Sequence, residues 1–346
     1  MKIFAILVYP PNKMNYGGVG LKKKNVLLFS DFGIDDFVAV IFAFFSEEIN
    51  IVGIVADYGN VSREDAIRNA AYLQEVTGHK EIPVFSGAVL PLTGEVPVYY
   101  PDVHGIEGLG PIVPNLENSN DIFENFDDFK DLIQKYENDI IIVNVGRLSS
   151  LAAAFILYPG LMSKVSDFYI MGGAFNVPGN VTPVAEANFY GDPYAANVVF
   201  ANAPKKIHIL PLDVTMSAII TPAVVDALDA YYQSVQNEVG LLIKPMVDYY
   251  FNFYKGTSPG ISGSPLHDLL TFWAMLEEAE IQYMEVPVKI IVNRGEAFGQ
   301  SIGDFRNAPP EDKMKYRIHR IAVQFNYSSF IRKFYEIMTN HKTKTP

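Results

Sequence analysis

The chain has 346 residues, of which 49% are hydrophobic and 19% charged; its formal net charge is −12 and it has no cysteine. This composition is typical of a globular protein with a large core, and it excludes disulfides, thiolate metal sites and thiol nucleophiles. The acidic balance argues against a nucleic-acid partner, since nucleic-acid binders normally present a basic face. No apolar run approaches the roughly 20 residues that a membrane-spanning helix needs, so we expect no membrane partner.

The two ends of the chain are predicted to lie outside the main domain. We place an N-terminal extension at residues 1–24, the domain at residues 25–340 and a tail at residues 341–346. Residues 2–9 resemble the start of a signal peptide, but two prolines interrupt the run and no small-residue cleavage site follows. We therefore expect a cytoplasmic protein and leave export open.

Strand-like runs alternate with helical patterns from residue 25 onward. The predicted strands are 26–29, 51–55, 82–85, 140–143, 168–171, 207–210, 286–292 and 316–324. The predicted helices are 37–45, 62–77, most of 223–254 and 330–338. This alternation favours an α/β fold: a single domain with insertions, built on an open, doubly wound, mostly parallel central sheet flanked by helices. In such Rossmann-like sheets, ligands bind at the carboxyl ends of the strands.

Three carboxylates directly follow the first predicted strand, at Asp31, Asp35 and Asp36. Carboxylates this close together repel each other unless a cation or protons compensate. Asp35 or Asp36 could equally be a simple cap of the next helix, a role that aspartate fills well. Taken alone, this segment does not distinguish a cation site from a helix cap.

Further oxygen-bearing groups follow other strands and loops of the predicted sheet. They are Asn60, the backbone carbonyl of Val145, Asn180, Glu186, Asn188 and Asp268 with its neighbour His267. Each of these taken alone also fits a turn, a solvated loop or a helix cap. Gathered at one sheet edge, they would form a hard-oxygen site for Ca²⁺ or Mg²⁺, beside amides suited to a polyhydroxylated ligand.

The order of these motifs resembles the inosine–uridine preferring nucleoside hydrolase family over most of the chain. The family signature Asp-x-Asp-Pro-Gly-x-Asp-Asp is matched at Asp31, Gly33, Asp35 and Asp36. The later matches are Gly59-Asn60-Val61, His104-Gly105, Gly108-Leu109-Gly110, Met171-Gly172-Gly173, Asn180-Val181-Thr182-Pro183, Glu186, Asn188, Asp192-Pro193 and His267-Asp268. Several separate motifs in the right order make the resemblance specific.

The resemblance implies hydrolysis of the N-glycosidic bond of ribonucleosides, of the inosine–uridine or a broad type, to ribose and a free base. It implies a homo-oligomer, a dimer or tetramer, with one Ca²⁺ in each active site. The Ca²⁺ ligands would be Asp31, Asp36, Asp268 and the carbonyl of Val145. Asp31 would also be the general base for a metal-held water, and His267 would assist the leaving group. The residues that contact the substrate would be Asp35, Asn60, His104, Met171, Asn180, Glu186, Asn188 and Asp268.

Four residues depart from the family pattern. Phe29 stands in place of the first aspartate of the signature, Phe32 in place of its proline, Arg147 in place of a proline, and Ala187 in place of a phenylalanine. The departure at Phe29 leaves open a nucleoside- or ribose-binding protein with little turnover, because function follows the site and not the fold. A metal-dependent phosphohydrolase is a weaker alternative, since the sequence has no Gly-rich phosphate loop.

Two aromatic features bear on the interpretation of the sequence. The aromatic run at residues 249–254 precedes a Gly-containing loop, residues 256–263, that could close over the base of a nucleoside. The run could equally be a helix face packed into the body of the protein. Trp273 lies within an apolar helical run, so we expect it in the core.

Overall fold

A computed structural model of the protein describes residues 22–115 and 125–339. The predicted tail and residues 1–21 of the predicted extension lie outside these ranges. The first strand begins at Lys24, one residue before the domain boundary drawn from the sequence. Within the described ranges, no helix combines the length and the apolar character needed to cross a bilayer.

The strands of the described residues belong to one large sheet and one short pair. In chain order they are β1 (Lys24–Ser30), β2 (Ile49–Ala56), β3 (Val84–Ser86), β4 (Ile140–Asn144), β5 (Asp167–Met171), β6 (His208–Leu210), β7 (Ile219–Ile220), β8 (Ser264–Pro265), β9 (Ile281–Ile290), β10 (Ser301–Gly303) and β11 (Ile318–Phe325). The large sheet has nine strands in the order β10-β9-β11-β6-β5-β4-β1-β2-β3, and β7 pairs with β8. From β3 to β11 all neighbours are parallel, whereas β9 runs antiparallel to β10 and β11. The predicted mostly parallel sheet is confirmed.

Helices flank the sheet on both faces. They are α1 (Ile34–Phe45), α2 (Arg63–Thr77), α3 (Pro101–His104), α4 (Phe129–Lys135), α5 (Ser149–Leu157), α6 (Pro159–Met162), α7 (Ala187–Gly191), α8 (Pro193–Asn202), α9 (Leu212–Thr215), α10 (Pro222–Val235), α11 (Glu238–Leu241), α12 (Ile243–Thr257), α13 (His267–Leu276) and α14 (Tyr327–Thr339). The predicted start of α2 is confirmed, because the Ser62 hydroxyl accepts a hydrogen bond from the Asp65 amide at 3.1 Å.

The apolar run of β1 explains how the strand comes to lie in the middle of the sheet. Val26 and Leu28 pack on the face covered by α1, while Leu27 and Phe29 pack on the opposite face. A strand buried on both faces needs covering helices on both sides, which is the arrangement of a parallel α/β sheet. Since β1 lies between β2 and β4, the segments that follow these three strands meet at one edge of the sheet.

Candidate active site

Four aspartates converge at this edge of the sheet. Asp31 directly follows β1, Asp35 and Asp36 lie in the first turn of α1, and Asp268 lies in the first turn of α13. Oxygen atoms of Asp35, Asp36 and Asp268 lie within 4.8 Å of one another, and all four side chains are buried. The Asp36 carboxylate is within hydrogen-bonding reach of both Asp31 and Asp268, so the four groups are contiguous. We call them the carboxylate cluster.

Burial and mutual repulsion change the protonation of the carboxylate cluster. Removal from water, followed by the charge of Asp36, raises the pKa of Asp35 to about 8. The same two causes raise the pKa of Asp31 well above its ordinary value, and burial together with Asp35 and Asp36 does so for Asp268. Without a compensating cation, the cluster therefore retains protons at neutral pH.

Asn60 holds two members of the cluster in place. Its backbone amide donates to Oδ2 of Asp31 at 2.9 Å, and its side-chain amide donates to Oδ1 of Asp31 at 2.9 Å and to Oδ2 of Asp36 at 3.2 Å. This approach needs a glycine at position 59, because a Cβ there would lie 1.8 Å from a carboxylate oxygen of Asp31. The predicted sugar-binding residue Asn60 is thus already bonded to the predicted metal ligands.

A second polar group lies at the ends of β4 and β5. The side-chain amide of Asn188 donates to the Val145 carbonyl at 2.8 Å and to the Met171 carbonyl at 3.3 Å. Glu186 caps α7, since its carboxylate accepts from the amides of Gly173, Asn188 and Phe189. Gly146, which follows Val145, packs closely against the carboxylate cluster. A Cβ at position 146 would lie 3.0 Å from Cγ of Asp31.

Asn180 differs from the other predicted site residues because its side chain is exposed. Its Oδ1 accepts from the Ala187 amide at 3.0 Å, so Asn180 closes the loop that leads to Glu186. The structure places it at the margin of the two polar groups.

The two predicted histidines lie near the cluster, and both are buried. His104 uses Nδ1 to accept from the Ile34 amide at 3.1 Å, at the start of α1. Both ring nitrogens of His267 have hydroxyl partners, Tyr254 at 2.9 Å on Nε2 and Thr215 at 2.8 Å on Nδ1. Burial lowers the pKa of His104 to about 3 and that of His267 to about 4, so both rings are neutral near pH 7.

Comparison with known families agrees with this geometry. The profile of the family described as "Inosine-uridine preferring nucleoside hydrolase" matches residues 26–332, which is most of the chain. The chain belongs to this family. The hydrolase therefore acts on N-glycosyl compounds, and its family splits ribonucleosides into ribose and base.

Individual relatives support the assignment. Uridine nucleosidase 1 of Arabidopsis thaliana is 34% identical over 277 residues, which cover 79% of this hydrolase and 80% of the relative. The inosine-uridine preferring nucleoside hydrolase of Crithidia fasciculata is 28% identical over 311 residues, or 89% and 95% of the two chains. A solved plant nucleoside hydrolase, the PpNRh1 enzyme, aligns with a TM-score of 0.82 at 30% identity, over 91% of this hydrolase and 99% of that chain.

The four departures from the family pattern have clear places in the structure. Phe29 packs in the core on the face of the sheet opposite α1. Phe32 has a φ of 46°, which a proline cannot adopt because its ring fixes φ near −65°. Ala187 is the first residue of α7, and Arg147 is buried beside the carboxylate cluster. The hydrolase thus keeps the four aspartates together despite these replacements.

Several residues around the site were not among the predicted site residues. Tyr250 is within hydrogen-bonding reach of Asp35, and its hydroxyl lies 3.5 Å from that of Tyr254. Both tyrosines are buried on one face of α12, so the packed interpretation describes these two members of the aromatic run. Thr215 follows β6, where the rule that ligands meet strand ends would have drawn attention to it. Trp273 is fully buried, as predicted.

Proposed function

We propose that this chain is a Ca²⁺-dependent ribonucleoside hydrolase that accepts inosine and uridine. The convergence of four buried carboxylates at the strand-end edge carries this proposal. Relatives are named for the hydrolysis of uridine and of inosine with uridine, which supports this choice of substrates. We further propose a cytoplasmic homodimer or homotetramer whose catalytic domain spans residues 25–340.

The chemistry of the cluster fits a hard divalent cation. We propose Asp31, Asp36, Asp268 and the Val145 carbonyl as the ligands of one Ca²⁺. Ca²⁺ accepts six to eight oxygen ligands in flexible geometry, which suits donors that come from three separate elements and a backbone carbonyl. When bound, the cation would neutralise the carboxylates, bind ribose hydroxyls and lower the pKa of water at the site.

Asp31 is the proposed general base. Its carboxylate is fixed by two hydrogen bonds from Asn60, so its orientation does not depend on the substrate. In this role Asp31 accepts a proton from the water that attacks the anomeric carbon. The N-glycosidic bond between that carbon and the nucleobase breaks. The surrounding carboxylates favour the positive charge that develops on the ribose ring in the transition state.

The remaining polar residues are proposed to hold the ribose and the base. Asp35, Asn60, Asn180, Glu186, Asn188 and Asp268 would bind ribose hydroxyls, Met171 would line the sugar pocket, and His104 would lie near the base. Glu186 and Asn188 are already fixed by backbone partners at the ends of β4 and β5. Fixed donors and acceptors of this kind reduce the entropy lost when the sugar binds.

His267 is proposed to assist departure of the base together with Tyr254. Because His267 is neutral near pH 7, it does not carry a stored proton as imidazolium. The proton would come from this hydrogen-bonded pair, in which the Tyr254 hydroxyl lies 2.9 Å from Nε2 of His267. The group that gives its proton to the departing nitrogen would regain one from solvent.

We expect His267→Ala to lower kcat for inosine by about 10²-fold or more, but that for p-nitrophenyl riboside by less than about tenfold. The nitrophenolate leaving group needs little protonation, so it does not depend on a proton donor. Steady-state rates for both substrates check this. His79→Ala is the matched control, because this half-exposed histidine lies just beyond the end of α2. Equal losses with the two substrates would exclude the leaving-group role.

Release of free ribose tests the proposed function as a whole. We expect the purified protein with Ca²⁺ to release ribose from uridine and inosine, each assayed separately in a panel of purine and pyrimidine ribonucleosides. Saturable binding of a nucleoside without ribose release would instead indicate a binding protein. Release of phosphate from nucleotides, without ribose from nucleosides, would indicate a phosphohydrolase.

A further inference from the structure

Residues 88–100 form a connection without helix or strand between β3 and α3, which we call the strap. Several of its apolar side chains are exposed, among them Val96 at 88% and Val98 at 65%. Apolar burial therefore contributes little to holding this part of the strap. Its position depends instead on polar contacts with the segments that follow the strands.

Both ends of the strap are fastened at the strand-end edge. The Ala88 amide donates to Asp57 at 2.7 Å, and the Leu92 amide donates to Asp192 at 2.7 Å. At the other end, the Tyr100 amide donates to the Asn60 carbonyl at 3.0 Å. The strap is thus hydrogen-bonded directly to Asn60, the residue that holds Asp31 and Asp36.

Arg147 provides a buried contact between the strap and the strand-end edge of the sheet. Its Nη2 donates to the Val98 carbonyl at 2.7 Å and to the Gly59 carbonyl at 3.3 Å. Between residues 93–99 and the described residues outside the strap, the other polar contact is the ion pair of Glu95 with Arg294, whose side chains are more than half exposed. Exposed pairs of this kind contribute little stability.

The guanidinium of Arg147 is also enclosed by aromatic rings and backbone. It lies 5.0 Å from the ring centre of Tyr58 and 5.8 Å from that of Tyr100. A Cβ on Gly191, at the end of α7, would lie 2.4 Å from Nε of Arg147. Within the described residues, Arg147 forms no ion pair with a carboxylate; its partners are carbonyls and rings. The guanidinium of arginine is planar and always charged and carries several N–H donors, so it can bond to carbonyls while it lies beside aromatic rings. A lysine ammonium could not reproduce these contacts.

We propose that Arg147 is a positioning residue that fastens the strap to the strand-end edge and so holds Tyr100 and Asn60 beside the carboxylate cluster. The inference rests on the proposed function, because it assigns a role in nucleoside binding to that site. The placement of Tyr100 supports it: burial raises the pKa of the Tyr100 hydroxyl, and the charges of Glu186 and Asp31 raise it further, while Arg147 opposes them. The Tyr100 hydroxyl is thus close enough to Glu186 and Asp31 for their charges to affect its pKa.

The test compares Arg147→Met with Arg147→Lys in the full-length, Ca²⁺-loaded protein. Loss of a hydrogen bond from a charged donor should raise KM for uridine about tenfold in Arg147→Met. The change in kcat should be smaller, less than about threefold, because Asn60 keeps its own hydrogen bonds to Asp31 and Asp36. Hydrogen exchange of the Tyr100 amide, which donates to the Asn60 carbonyl, should accelerate about tenfold or more in the same variant. Arg147→Lys should fall between this variant and the wild type on both measures, since it keeps the charge but not the planar guanidinium.

The controls separate positioning from general damage to the fold. Partial misfolding would lower kcat in proportion to the active fraction and leave KM unchanged. Arg306→Met removes an exposed guanidinium that pairs with Asp304, at a place in the sequence remote from the strap. This variant should leave both KM and exchange of the Tyr100 amide unchanged. If Arg147→Met does not fold, the same two measurements on Arg147→Lys decide the question.

Two results would be read differently. If the wild-type protein is active but the Arg147 variants show unchanged exchange of the Tyr100 amide and unchanged KM, the positioning role alone is overturned. A wild-type protein that releases no ribose from any ribonucleoside would refute the proposed function, and the positioning role in nucleoside binding with it.

Discussion

Asp31→Asn is expected to lower kcat for uridine and inosine by about 10²–10⁴-fold, the usual contribution of a positioned general base. The amide has nearly the same shape as the carboxylate, but it cannot accept the proton of the attacking water. The two hydrogen bonds from Asn60 hold this side chain in one orientation, so a neighbouring aspartate cannot readily replace it. Steady-state kinetics with a ribose assay measures the effect.

Substrate binding separates loss of the base from loss of the site. Asp31→Asn should still bind a ribonucleoside, as titration calorimetry can show, because the other groups proposed to hold the sugar remain in place. Near-normal kcat in this variant would remove Asp31 from the role of base. Rates should be compared at saturating Ca²⁺, since Asp31 is also a proposed ligand.

Removal of Ca²⁺ is expected to abolish ribose release and to destabilise the folded protein. Ca²⁺ at about 100 times its Kd should stabilise the native state by about 2.7 kcal/mol, which raises the Tm by about 4 °C in a protein of this size. The stabilisation arises because the cation relieves the repulsion among Asp35, Asp36 and Asp268, whose oxygens lie within 4.8 Å of one another. Thermal unfolding with chelator and with Ca²⁺ measures it without reference to activity.

The stability of the cation-free protein is expected to depend on pH. A carboxylate with a raised pKa keeps its proton in the folded state and loses it on unfolding. The cation-free protein should therefore lose stability as pH rises from about 4, the ordinary value, through about 8, the raised pKa of Asp35. Added Ca²⁺ should offset this loss, so the Tm difference should be larger at pH 8 than at pH 6.

Asp268→Asn should greatly reduce the Ca²⁺-dependent Tm shift. Asp248→Asn serves as the matched control, because Asp248 is a half-exposed aspartate paired with Lys244 on α12. Activity that persists after exhaustive chelation, or an Asp268→Asn variant with the wild-type Tm shift, would show that the cluster is not a required Ca²⁺ site.

The centre of the fold could be predicted because its signals are local. The apolar run of β1 and the buried pattern of α1 appear directly in the sequence, and the alternation of strands with helices implies the parallel sheet. The antiparallel edge could not be predicted in the same way. The pairing of β9 with β10 and β11 joins segments whose short apolar runs carry no information about direction.

The candidate site could be predicted only as far as side chains follow the strands. Asp31, Asp35 and Asp36 were found by that rule because they directly follow a predicted strand, and Asp268 was found as one of the groups that follow other strands and loops. The role of Asp268 as a metal ligand came only from the resemblance to a family. The partners of His267 could not be predicted, because Thr215 and Tyr254 meet it through packing between α9, α12 and α13. Its lowered pKa depends on the same burial, which the sequence alone does not show.

The burial of α1 has a consequence for engineering. Asp35 and Asp36 lie in the first turn of a helix in which every residue except Phe44 is buried, so water does not relieve their repulsion. Replacing either by a neutral residue of similar size would raise the Tm of the cation-free protein. The same replacement would remove a carboxylate of the cluster on which turnover is proposed to depend. Directed evolution that selects for thermal tolerance alone would therefore tend to erase this site, and a screen needs a catalytic readout alongside it.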